Sequence, residues 1–335
     1  MKVIKLIAII NSILFSTLVS AAPLTLQSTT PLPEITGGDF DHFAADLKRH
    51  RLYVSAEIYG SIEVFNLPDG SHLASERSVA RTPHKIALTD SGDELFIADA
   101  GSASARIVDT KTFALKQAIP LEAQPDSGVV DRRTGIFYLG NGGAQSHKET
   151  AYISLISMAK QSVISRISVP AAQIKAMATD PATERLFVNF RDKNEVGIVD
   201  LRTRKLMGVW PVPGPSRNSA MAFDSQSNRL FIGSRNPGKL FVLDAKTGAV
   251  VQALDIVETS DEIIFDRQHK QLFVAGSNGL DVIRQIDNDH YKIVQHVDTM
   301  GGKTATYIPS MKKLYVVHTK SADSAEAGLQ VFRVN

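Results

Sequence analysis

A bulky apolar triplet, aliphatic–aromatic–aliphatic, returns along the chain at near-constant spacing. It reads Leu52-Tyr53-Val54, Leu95-Phe96-Ile97, Leu186-Phe187-Val188, Leu230-Phe231-Ile232, Leu272-Phe273-Val274 and Leu314-Tyr315-Val316, with a degenerate copy at Ile136-Phe137-Tyr138. Successive copies lie 41–44 residues apart, except for one step of 50. Upstream of each triplet a short apolar stretch runs into a turn, as in Ala178-Thr179-Asp180 and Ala222-Phe223-Asp224. Downstream comes an alternating stretch that usually ends in aspartate, as in Gly197-Ile198-Val199-Asp200 and Phe241-Val242-Leu243-Asp244. A turn such as Lys246-Thr247-Gly248 follows, and then a fourth extended stretch such as Ala249 to Leu254. β-Branched and aromatic residues punctuated by turn formers predict short, half-buried strands. No segment sustains the 3.6-residue period of an amphipathic helix.

Four strands per repeat at this period predict propeller blades. Seven triplets predict an all-β, seven-bladed β-propeller of four-stranded antiparallel blades. The last repeat supplies only three strands, ending at Leu329 to Val334. The N-terminal segment, residues 22–39, holds the missing one, either Leu24-Thr25-Leu26 or Leu32 to Ile35. Pairing the first segment with the last hides two sheet edges and closes the ring. Residues 22–335 are therefore expected to form one domain.

The residues of the fourth repeat, Arg185-Leu186-Phe187-Val188-Asn189 with Val196-Gly197-Ile198-Val199-Asp200, resemble the YVTN-repeat propellers, in particular the YncE-like exported proteins of bacteria. The stretches Glu94 to Ala98 with Ile107-Val108-Asp109-Thr110, and Arg229 to Gly233 with Val242-Leu243-Asp244, support the likeness. It spans roughly residues 40 to 335 and speaks to architecture, because these repeats consist largely of blade-packing residues. Only the fourth repeat keeps asparagine after the triplet, Asn189.

The first residues read as an export signal. Lys2 and Lys5 precede a mostly apolar run, Leu6 to Val19, and Val19-Ser20-Ala21 has the small-residue pattern of a cleavage site. The run is interrupted by Asn11-Ser12 and falls short of the roughly 20 residues a spanning helix needs. Cleavage near Ala21 would leave the protein periplasmic or secreted. The chain carries 37 Lys+Arg and 35 Asp+Glu, and loss of Lys2 and Lys5 balances them, so no net field gathers polyanions. There is no cysteine, which excludes thiol catalysis, thiolate metal sites and c-type haem attachment.

Aligning the repeats on their triplets places one position at the mouth of the central channel, eleven residues upstream. It is occupied by Asp41, His84, Lys175, Ser219, Asp261 and Lys303, with Asp126 in the shorter third repeat. Beside Ser219, Asn218 is the ligand-facing candidate of the fifth repeat. Further along, the same strands turn apolar, as at Ala44-Ala45 and Ile263-Ile264. A polar funnel over an apolar floor suits a small polar ligand, and the mixture of charges suits a zwitterion. The ligand-binding set expected is thus Asp41, His84, Asp126, Lys175, Asn218, Asp261 and Lys303.

Other chemistry has weaker support. His42, His84 and His318 fall on the same face of neighbouring blades and offer imidazoles for a divalent ion. Adjacent registers should nevertheless aim His42 and His84 to opposite sides of their strands, and His147 is a fourth histidine on that face. Glu57, Asn141, Asn218 and Asp261 are residue types used by metal-dependent lactonases of propeller fold. No nucleophile elbow, H-E-x-x-H or phosphate loop is present. The glycines at 140–143 open a long loop towards Thr150, and the loop from Thr319 to Gly328 is the candidate gate. Asp46, Asp131, Asp180, Asp224 and Asp266 recur at turns on the opposite face and read as turn-stabilising carboxylates. A patch of Arg191, Arg235 and Lys239 is the one candidate for single-stranded nucleic acid, a partner that the balanced charge of the chain argues against. The sequence favours a binding or scaffolding module with a small polar ligand or envelope protein as partner, leaves catalysis undecided, and implies no cofactor and no catalytic residue.

Overall fold

In a computed structural model of the chain, residues 22–142, 149–214, 217–321 and 324–335 are described. The candidate signal segment, His147 and the central parts of the two long loops lie outside them. Seven four-stranded sheets are present, each antiparallel and ordered from an inner to an outer strand. The inner strands are Phe40–Asp46, Pro83–Leu88, Pro125–Asp131, Ile174–Asp180, Ala220–Asp224, Glu262–Asp266 and Thr304–Ile308. Each packs beside the next, and the seventh packs beside the first, so the ring is closed.

Closure uses the N-terminal strand. Leu24–Leu32 pairs antiparallel with Ala327–Val334 as the outer strand of the seventh blade, from Leu24 opposite Val334 to Leu32 opposite Ala327. Of the two sequence candidates, Leu24-Thr25-Leu26 lies within this strand, and only Leu32 of the other belongs to it. Among the described residues no helix is long and apolar enough to cross a membrane.

The triplets explain themselves once the blades are stacked. Alternate residues of a strand face opposite sides, and both faces of a blade are covered by its neighbours. Leu52 and Val54 therefore pack on Tyr315 and Leu329 of the seventh blade, while Tyr53 packs on Ile86 and Leu95 of the second. The pattern repeats one blade on, with Leu95 and Ile97 facing the first blade and Phe96 facing Phe137 and Leu139 of the third. Seven such inter-blade clusters form the core. The recurring aspartates behave as turn residues: Asp46 accepts from the backbone N–H groups of Lys48 and Arg49, and Asp224 from those of Gln226 and Ser227.

Candidate functional site in the central channel

The inner strands of the first four blades each carry one extra residue near their start. Pairing shifts between Phe40 and Phe43, Pro83 and Ile86, Pro125 and Gly128, and Ile174 and Met177. Such a bulge re-aims side chains that a regular strand would send to opposite faces. Neighbours such as Asp41 and His42, or Asp126 and Ser127, consequently both reach the channel mouth.

There they line a cavity of about 400 Å³. Six of the seven expected residues converge on it: Asp41, His84, Asp126, Lys175, Asp261 and Lys303. Asn218 does not. It is fully buried and donates to Asn189 Oδ1 at 2.7 Å and to the Glu195 carbonyl at 2.9 Å, while Ser219 lines the cavity in its stead. Asn218 precedes the fifth inner strand, Ala220–Asp224, and those two hydrogen bonds hold its side chain in the blade. Asn189, unique among the repeats, in turn donates to the Ser219 and Ala220 carbonyls and fastens blade four to blade five.

The cavity wall has two electrostatic sectors. In one, Lys303 pairs with Asp39 and lies 3.2 Å from Asp261, and Arg235 also binds Asp261, its Nε standing 3.1 Å from Oδ1. Burial opposes the charge on Asp261, but Arg235 and Lys303 hold its carboxyl below the usual range. In the other sector, His84 Nδ1 lies 2.7 Å from Asp41 Oδ2, and His84 Nε2 lies 3.6 Å from Glu57 Oε1. Burial works against a charged His84, yet Asp41, Asp126 and Glu57 outweigh it and push the ring up to about 9. Asp41 is held well below its usual range against the cost of burial, by His42, His84 and Lys175. Glu57 moves the other way, raised by burial and by the crowding of Asp41, Asp39 and Asp126 against the pull of His84. Lys175 bridges to Asp126. Below this mouth the channel becomes largely apolar, lined by Phe43, Ala44, Ala45, Ile86 and Met177 with Lys85 and Arg132.

Glu57 and Arg235 each follow their triplet by three residues, the signal that marks this second tier of wall residues. Arg191 holds the same rank in blade four. It is buried with Nε unpartnered, and burial together with Arg235 and Arg217 lowers it to about 10.

The remaining candidates separate. His42 and His84 are not directed apart: both meet Asp41, whose Oδ1 is 3.3 Å from His42 Nε2. His318 is buried away from the cavity, its Nδ1 3.2 Å from the Thr319 carbonyl. Asn141 is buried and accepts from Ser154 at 2.6 Å, so the set of Glu57, Asn141, Asn218 and Asp261 does not assemble. With Arg191 buried, Arg235 in the cavity and Lys239 paired to Asp255, these three cations present no free basic surface.

No family model matches the chain. No curated protein sequence matches it either. Among solved structures, a chain of "Crystal Structure of Mitotic Checkpoint Complex" is similar, with a TM-score of 0.74 and 14% identity over 98% of this chain and 98% of that one. At this identity the likeness shows the fold alone, a β-propeller.

Proposed function

We propose that the protein is an exported, YVTN-repeat-type propeller that acts as a binding module, holding a small zwitterionic molecule in its central cavity. The observation that supports this most is the convergence of six ring residues, one from each of six blades, on one cavity with paired charges of both signs. The Lys303/Arg235 sector offers donors to an anionic group, and Glu57 in the other sector offers an acceptor to an ammonium. Preformed polar groups in a concavity fix a ligand's orientation, while the number of charges restricts it to polar molecules. The apolar N-terminal run and the small residues before Ala22 support export.

Native mass spectrometry of protein isolated from its own cells, followed by calorimetry with amino acids, betaines and amino sugars, tests the reading. A bound small mass, or a saturable zwitterion, that disappears in Lys175→Ala/Lys303→Ala is the expected result. A ligand or partner interaction untouched by that double substitution removes the site.

A further inference from the structure

One buried charge lacks a counter-charge. Arg191 is 8 % exposed, yet its side chain makes no hydrogen bond or ion pair among the described residues. Its Nε is sealed from solvent without a partner, whereas the two terminal nitrogens are unbonded but not sealed. The carboxylate beside it in the chain, Asp192, is committed elsewhere. Its oxygens accept from the backbone N–H groups of Ala172 and Gln173 at 3.0 and 2.9 Å. Enclosing a cation without a partner is costly, and buried arginines that serve the scaffold are paired.

Two further arginines gather at the same junction of blades four and five. Arg217 donates its backbone N–H to Asn194 Oδ1 at 2.7 Å, in the turn that also carries Arg191. Next to it, the bond from Asn218 to Asn189 ties the two segments together. Arg235 stands at the same rank of blade five as Arg191 does of blade four, and it reaches the cavity wall. Besides burial, the like charges of Arg235 and Arg217 bear on Arg191. Asp261 and Asp126 draw on it in the other direction, but Arg235 and Lys303 engage Asp261, and Lys175 engages Asp126. Arg235 and Lys303 are thus matched by Asp261 and Asp39. Arg191 and Arg217 are matched by no carboxylate among the described residues.

We infer that Arg191, with Arg217 and Arg235 beside it, binds an oxyanion, a carboxylate or phosphate group, at the junction of blades four and five. A guanidinium presents parallel N–H donors at the spacing of two carboxylate or phosphate oxygens. The bound group supplies the counter-charge that the fold omits and screens three like charges from one another. The inference rests on the cavity reading above and refines it. Lys303 and Arg235 are already shared with carboxylates of the protein, so the anionic end of the ligand goes to Arg191. Glu57 in the other sector remains for an ammonium.

Arginine Nε–H resonances, followed by NMR in isotope-labelled protein, provide the test. The probes are sodium acetate and sodium phosphate, each compared with sodium chloride at equal ionic strength to remove non-specific screening. The spectrum of Arg191→Lys assigns the Arg191 signal. The expected result is a saturable shift of that signal at millimolar concentrations of acetate, phosphate or both, and the tighter probe names the anionic group. Arg191→Lys keeps the charge but loses the fork, and should weaken binding about tenfold or more. Arg191→Met should abolish binding and, by removing an unpaired buried charge, leave Tm unchanged or raised. An arginine that serves only the scaffold would lower Tm when replaced. Absence of a saturable shift with both probes, unchanged affinity in Arg191→Lys, or a lowered Tm in Arg191→Met overturns the inference. A zwitterion bound equally by the parent and Arg191→Lys would remove Arg191 and leave the cavity reading standing. Acetate or phosphate held at Arg191, with no zwitterion bound, would do the reverse.

Discussion

Ring closure by the N-terminal strand can be tested with a covalent bond. Thr25 and Arg333 face each other across that pairing, and both are exposed. Directly opposed residues of an antiparallel pair have Cα atoms about 4.5–5.5 Å apart, inside the 4.4–6.8 Å window that a disulfide needs. The chain contains no cysteine, so Thr25→Cys/Arg333→Cys can form only one intramolecular bridge. The bridge would enclose almost the whole chain, and loop-closure entropy for so long a loop sets an ideal gain of about 6 kcal/mol, with typical bridges delivering about 2–4 kcal/mol. For a domain of this size, that corresponds to a rise in Tm of roughly 3–8 °C. Melting of the oxidised protein against the same protein in dithiothreitol, with gel mobility to verify the bridge, reads the effect. An inability to form the bridge, or a bridge that lowers Tm, would refute closure in this register.

Two further outcomes follow from the packing. Phe231 is fully buried between blades five and six, its ring centroid 5.4 Å from those of Phe265 and Tyr291. Phe231→Ala should cost about 3–5 kcal/mol in urea unfolding, whereas Met207→Ala at an exposed outer strand should stay within about 0.5 kcal/mol; equal effects would contradict inter-blade packing as the source of stability. His318 is lowered from its usual value of 6.5 by burial, despite the Thr319 carbonyl. The unfolded chain then binds a proton more readily than the folded one, so this residue's contribution is retained above about pH 6.5 and lost as pH falls below it. His318→Asn, which keeps a donor for Thr319, should flatten the decline of Tm between pH 7 and 5 relative to the parent; an unchanged slope would show that His318 is not buried in its neutral form.

Much of this architecture is legible in the chain because both faces of a blade are buried. That requirement forces three consecutive apolar residues into every second strand, and the triplets at Leu52, Leu186 and Leu314 carry it visibly. The mouth of the channel is legible to the same extent as the repeat is regular: counting back from the triplets finds Asp41, His84, Asp126, Lys175, Asp261 and Lys303. Counting fails where backbone pairing changes. The bulges that bring both Asp41 and His42 to the cavity leave no mark on the period, whereas in blade five the counted residue, Ser219, does line the cavity and its neighbour Asn218, preferred for its amide, is buried in the blade. Asp39 also escaped the count, since it precedes the inner strand and owes its position to Lys303 of the last blade. Such partners are joined only when the ring closes. Neither the apolar triplets nor the turn aspartates say what occupies the cavity, because both serve the scaffold.

A crystal structure of the purified protein examines the central arrangement most directly. The account predicts seven blades closed by Leu24–Leu32, with the side chains of Asp41, His84, Asp126, Lys175, Asp261 and Lys303 around one cavity. An open array of sheets, or those six side chains turned away from a common opening, would contradict it.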